Sequence, residues 1–217
     1  MKLDFYNVNK EYIEFLQNAE IKKRGFTRVP NMNYKGRKQK FICGILLDAP
    51  RTQLKYFAGV THYKVQRSEN FLIRVENDRE PIKGALRFNY MFPVPLQLVS
   101  KINILKEPDV NYKILMSKEL KAINNNAQLI TSKARDVYNK IVNGRCSANL
   151  KTNSCDFTYL EEKCMEYCKL KGIDISPAGG ERENAEKMEP ERTPFNDLLI
   201  KLSKSNKNKE KNNDPER

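Results

Sequence analysis

An α+β domain, a small twisted sheet or half-barrel packed against helices, is the fold class the sequence predicts. Three observations point there. The hydrophobic period changes about halfway along, from short runs rich in β-branched and aromatic residues to repeats of three and four after Pro108. The 217 residues suffice for one ordinary domain and a little over. The charge is also uneven. The chain has 40 Lys and Arg against 27 Asp and Glu, net +13, but residues 174–217 hold 9 basic and 10 acidic side chains, so the positive excess belongs to what precedes them.

The first element is a helix over residues 10–19, with Tyr12, Phe15, Leu16 and Ala19 on one face. Strands follow. Residues 41–48 (FICGILLD) are nearly all apolar, as in a strand buried on both faces. Residues 54–63, 70–76 and 85–94 are short, aromatic and β-branched, with turn-like residues between them. In the last of these, alternation puts Phe88, Tyr90 and Phe92 on one face and Arg87, Asn89 and Met91 on the other, and Pro93 and Pro95 end the strand or hold it on an edge. Helices are predicted over 110–124, 127–143 and 156–171, with Gly144 and Gly172 just past two of their ends and Ser154 or Asp156 as the N-cap of the third.

The domain therefore spans residues 1–172. Residues 173–217 are a polar extension with too little apolar surface to offset the entropy of ordering, so it is expected to be largely disordered. Within it Phe195, Leu198, Leu199 and Leu202 follow helical spacing, which reads equally as a short helix over 195–203 or as a weakly amphipathic piece of a disordered tail.

Composition excludes several classes. The longest apolar stretch, Phe41 to Leu47, is far short of the ~20 residues of a membrane-spanning helix. The N-terminus lacks the apolar segment of a secretory signal. Five cysteines are an odd set in a lysine-rich chain, so a reducing cytoplasm is expected rather than a disulfide framework. Cys155, Cys164 and Cys168 do not have zinc spacing, and Cys164 and Cys168 fit the apolar face of the last helix with Phe157 and Leu160. No Gly-rich phosphate loop and no carboxylate cluster for a hard cation occurs, so no cofactor or metal is expected.

A balance this basic points to a polyanion. Between residues 21 and 40 there are eight basic side chains and no acid: Lys22, Lys23, Arg24, Arg28, Lys35, Arg37, Lys38 and Lys40, with Phe26 and Tyr34 among them. Cations neutralise phosphates and aromatic faces stack on unpaired bases, a combination suited to single-stranded nucleic acid, to which Arg87 adds a further charge. Metal-free cleavage of RNA needs a base for the ribose 2′-OH, an acid for the leaving 5′-oxygen and cations for the crowded phosphate. Candidates lie at the ends of the two hydrophobic strands. Lys40 opens the first, and Thr61, His62 and Lys64 close the second, with Tyr12 and Tyr34 approaching from the flanking helix and loop. Histidine is the side chain whose ordinary titration suits acid–base work near neutrality. Alternation raises a difficulty, because Thr61 and His62 point to opposite faces unless the strand bends or ends between them.

The order KEYIEFL, RVPN, KFICGILLD, YFAGVTHYK, RFNYMFPVP and CDFTYLEEK, from about Leu3 to Tyr167, resembles the ToxN/AbiQ family, the endoribonuclease toxins of type III toxin–antitoxin systems. The resemblance implies a compact, strongly twisted antiparallel barrel-like core of Kid/MazF type. It implies metal-independent cleavage of RNA to 2′,3′-cyclic phosphate ends. It also implies inhibition by a neighbouring repetitive RNA folded into pseudoknots, usually in closed rings of toxin and RNA, and a part in abortive phage infection. Position by position it assigns function to Tyr12, Tyr34, Lys40, Thr61 and Lys64. Where the family has Ser after the threonine this chain has His62, so either the histidine takes over the serine's place or activity is altered or lost. The rival readings are a non-catalytic RNA-binding protein and a protein-interaction module.

Overall fold

The computed structural model describes residues 2–32, 41–48 and 54–175. Its order is β1 (Phe5–Val8), α1 (Lys10–Arg24), β2 (Ile42–Asp48), β3 (Lys55–Thr61), β4 (Asn70–Arg74), β5 (Ile82–Arg87), β6 (Phe92–Pro93) and β7 (Val99–Lys101). Four helices follow: α2 (Val110–Asn125), α3 (Ala127–Val142), α4 (Ala148–Thr152) and α5 (Phe157–Lys171). This is the α+β class, with an antiparallel sheet first and helices behind it.

Among the described residues the sheet is open rather than a closed barrel: it runs β4-β5-β3-β2-β1-β7, with β6 added to β3. On the side away from β2, β3 serves two partners. Its first half pairs Tyr56 with Pro93 and Phe57 with Phe92, and its last residues pair Val60 with Leu86 and Thr61 with Ala85. The sheet thus divides at β3 into two halves.

The strand expected over 85–94 is corrected. The ladder stops at Arg87, a single 3₁₀ turn occupies Phe88–Tyr90, and β6 resumes at Phe92. Asn89 causes the break: its amide donates to Asn153 O at 2.6 Å and its carbonyl accepts Cys155 N–H at 2.9 Å, which ties the turn to the segment between α4 and α5. Phe88, Asn89, Met91 and Phe92 are consequently all buried, against the predicted alternation, and Tyr90 is partly exposed. Strands β1 and β7 and helix α4, of four, three and five residues, are too short to announce themselves by periodicity.

Helix α1 runs five residues past its predicted end. Asn9 caps it by accepting Tyr12 N–H, and Gly25, at φ +77°, ends it in the left-handed region that glycine tolerates. The later helices fall where periodicity placed them, and Gly144 and Gly172 are left-handed as expected. The N-cap of α5 is Asp156, which accepts Tyr159 N–H; Ser154 instead donates its hydroxyl to Leu150 O.

The core lies between the sheet and α1, α3 and α5, filled by Phe5, Tyr56, Phe57, Phe92 and Phe157. Glu161 is buried there and satisfied, accepting from the phenols of Tyr56 and Tyr138, both at 2.7 Å. Cys164 and Cys168 are buried beside Phe157 and Leu160, as the spacing predicts, and all five cysteines are free. Among the described residues no helix is long and apolar enough to cross a membrane.

Candidate nucleic-acid interface

The difficulty at Thr61 and His62 is resolved by where β3 stops. Thr61 is its last residue. The Thr61 hydroxyl donates to Ala85 O at 3.3 Å and accepts Tyr63 N–H at 3.4 Å, so the chain turns directly after the ladder. A Cβ on Gly84 would sit 2.4 Å from Thr61 O, so this close approach of β3 and β5 requires glycine. His62 and Lys64 are exposed on the outgoing loop, and Lys64 Nζ lies 3.2 Å from Glu80 on the surface, where such a pair contributes little. Asn70 staples the loop from below. Fully buried, it donates to Val65 O at 2.8 Å and accepts from Arg67 N–H and the Gln66 amide, both at 3.0 Å.

Arg87 closes β5, two residues past the Ala85 that pairs with Thr61, and so lies on Thr61's side of the sheet. Its guanidinium carbon is 4.0 Å from the Tyr90 ring centroid and 4.8 Å from that of Tyr63. Arg67 Nε donates to the Tyr63 hydroxyl at 3.3 Å. Residues 61–67, 87 and 90 thus make a basic and aromatic surface at one end of the sheet. Tyr63, Arg67, Asn70 and Tyr90 were missed by sequence reasoning. The alternation of 61–64 was the available signal for Tyr63; the turn at Tyr90 left none.

The basic residues near the end of α1 are used differently. Glu20, with no exposed surface, accepts from Arg24 at 2.8 Å, Thr27 Oγ1 at 2.7 Å, Arg28 N–H at 2.6 Å and Asp156 N–H at 2.9 Å. Arg24 also donates to Ser154 O and Thr152 O, Arg28 to Thr152 O, and Lys23 to Asp156 at 2.9 Å. Lys22 is exposed. Tyr12 does not open onto any surface, which corrects its expected approach to the site. It has no exposed area, its hydroxyl donates to Pro93 O at 2.6 Å, and burial, with Cys164 beside it, holds its phenol well above the ordinary tyrosine range. Tyr34, Lys35, Arg37, Lys38 and Lys40 lie outside the described residues, as does the 195–203 segment. Phe41, which follows Lys40, accepts Val60 N–H at 3.4 Å, one residue before Thr61.

Glu119 of α2 lies on the far side of Gly84, with Oε1 3.8 Å from where a Cβ would be. It is 4% exposed, and its carboxyl accepts no hydrogen bond among the described residues. Burial pushes its carboxyl up to about 7, against a smaller opposing effect of Lys83. Lys83 itself is held by Asp78 at 2.6 Å, which also binds Lys118 at 2.9 Å. Among the described residues no three of His, Cys, Asp and Glu are grouped to hold a metal ion.

The model of a family described as toxin ToxN of type III toxin–antitoxin systems matches residues 4–165. The chain belongs to the ToxN family. It is similar to the endoribonuclease ToxN of Bacillus thuringiensis subsp. kurstaki, 31% identical over 174 residues, which are 75% of this chain and 83% of that protein. The endoribonuclease ToxN of Pectobacterium atrosepticum is 27% identical over 177 residues, 77% of this chain and 95% of that one. Among solved structures, a type III system described for selective toxin inhibition by a non-coding RNA pseudoknot superposes with a TM-score of 0.66 at 28% identity, covering 77% of this chain and 98% of that chain. AbiQ, a lactococcal anti-phage endoribonuclease of a type III system, gives 0.63 at 25% identity over 78% and 99%. The family match, residues 4–165, contains the whole basic and aromatic surface.

Proposed function

We propose that this protein is the endoribonuclease toxin of a type III toxin–antitoxin system. It cuts single-stranded RNA without a metal ion, leaves 2′,3′-cyclic phosphate ends, and is inhibited by a cognate repetitive pseudoknot RNA in a ring-like assembly. It acts in the cytoplasm as part of abortive phage infection. The observation that carries this reading is the end of β3, where an anchored hydroxyl (Thr61), an imidazole (His62) and cations (Lys64, Arg87) lie on one surface of a family whose named relatives are endoribonucleases. Thr61 positions the scissile phosphate and His62 moves the proton between the 2′-hydroxyl and the leaving oxygen. Lys64 and Lys40 neutralise phosphate charge, and Tyr34 stacks or hydrogen-bonds. RNA binding extends over Lys22, Lys23, Arg28, Lys35, Arg37 and Lys38. Tyr12 is left out of the chemistry and supports the packing of α1.

The toxin domain is read as residues 1–172, with 173–217 a polar extension. A barrel-like core of Kid/MazF type is part of the same reading. Its support is the division of partners along β3, which turns β5 and β6 onto different halves of the sheet.

Incubation of a generic single-stranded RNA with the protein in excess EDTA tests the function. Fragments ending in 2′,3′-cyclic phosphate are expected. Intact RNA retained by the protein would favour a binder without catalysis, and cleavage that appears only with magnesium would overturn the mechanism.

A further inference from the structure

Resting on the reading of this surface as an RNA-cleaving site, we infer that Arg87 is itself a catalytic residue. Its guanidinium, clamped between Tyr63 and Tyr90, grips the phosphate that is cut and takes up the charge developing on it.

Three observations carry the inference. First, both neighbouring rings lie within cation–π distance, so contacts at 4.0 and 4.8 Å fix the guanidinium. Second, the Arg87 side chain donates no hydrogen bond among the described residues, and its Nε is buried without a partner. A buried guanidinium N–H without an acceptor is costly, and such groups persist where a ligand supplies the acceptor. Arg24, equally close to a ring at 4.5 Å, instead has its guanidinium filled by Glu20 and two carbonyls. Third, Arg87 shares a side of the sheet with Thr61, whose hydroxyl is anchored to Ala85 O between them. The fork of an arginine matches two phosphate oxygens at once, which a lysine cannot do.

In the step itself the 2′-oxygen forms a new bond to phosphorus and its proton passes to the base. The P–O5′ bond breaks, its electron pair stays on the 5′-oxygen, and that oxygen takes a proton from the acid. Arg87 exchanges no proton; it stabilises the non-bridging oxygens throughout. Tyr63 and Tyr90 are positioning residues that act through it.

The test compares single-turnover cleavage in EDTA with affinity for the same RNA carrying a 2′-deoxy substitution at the cut. Arg87→Lys is expected to lower the cleavage rate about 100-fold or more, with affinity for the uncleavable RNA within about threefold. The pH–rate profile should keep its shape, since no titrating group is lost. Tyr90→Leu should lower the rate by about tenfold, and Tyr90→Phe, which restores the ring face, should recover most of it. Cleavage by wild type with an Arg87→Lys rate within threefold of it overturns the inference, as do equal rates for Tyr90→Leu and Tyr90→Phe. The tyrosine pair decides the matter should Arg87→Lys unfold. Absence of cleavage by wild type strikes instead at the function proposed above.

Discussion

Among the described residues, arginine stands against aromatic rings on two surfaces of this protein. Near the end of α1, Arg24 and Arg28 lie 4.5 and 5.1 Å from the Phe26 ring centroid, and at the end of the sheet Arg87 lies 4.0 Å from that of Tyr90. Arg24 is committed to the fold, because a buried glutamate and the carbonyls of Thr152 and Ser154 take up its donors, whereas Arg28 gives only its Nε to Thr152 O. Arg87 has no acceptor among the described residues. The number of cations in a segment therefore overstates what it offers a polyanion, because internal carboxylates and helix-end carbonyls claim some of them first.

The sharpest break of this contrast is Glu20→Ala. It removes the acceptor shared by Arg24, Thr27, Arg28 and Asp156 and leaves a largely buried guanidinium uncompensated, so a loss of about 3–5 kcal/mol is expected in urea unfolding. A loss below about 1 kcal/mol would mean that the α1 end is not held by this carboxylate and that its arginines are free for ligand.

Glu119 supplies the opposite case, a buried glutamate without donors. Its folded-state titration is raised from 4.5 to about 7, so the group is protonated in the folded protein over a range where the unfolded chain has lost the proton. The stability linked to it is complete below pH 4.5 and falls as pH rises through 7. Glu119→Gln is expected to be more stable than wild type by about 2 kcal/mol at pH 8 and equal to it at pH 4. Parallel stability curves across that range would contradict the assignment.

The smallest effects separate two neighbours. Arg24→Gln should lower stability by about 1–3 kcal/mol and leave the salt dependence of RNA binding unchanged. Lys22→Gln should leave stability within about 0.5 kcal/mol and lower the slope of log affinity against log salt by about 1. An exchange of these outcomes would reverse the comparison.

Much of this arrangement is legible in the sequence where periodicity or caps speak. The helices α2, α3 and α5, the core role of Cys164 and Cys168 and the position of β3 follow from spacing, and the end of β3 supplies Thr61, His62 and Lys64. Tyr12 shows the same rule from the other side. It shares a helical face with Leu16, and that face is core. What escaped the sequence depends on contacts distant along the chain. Residues 88–92 alternate like a strand, yet Asn89 is tied to Asn153, 64 residues away, and the ladder breaks. Glu20 looks like one more polar helix residue until loop and α5 donors 7 to 136 residues away close on it. Tyr63 is brought to Arg87 by the turn that ends β3, and Tyr90 by the 3₁₀ turn that follows β5, which the strand-like alternation of 88–92 conceals.

The end of β3 as the place where RNA is cut is tested most directly by His62→Ala in single-turnover cleavage with excess EDTA, read beside affinity for an uncleavable RNA. The rate is expected to fall by about 10²- to 10⁴-fold, with affinity held within a few-fold because phosphate contacts dominate binding. Cleavage at the wild-type rate by this variant would place the chemistry elsewhere on the molecule.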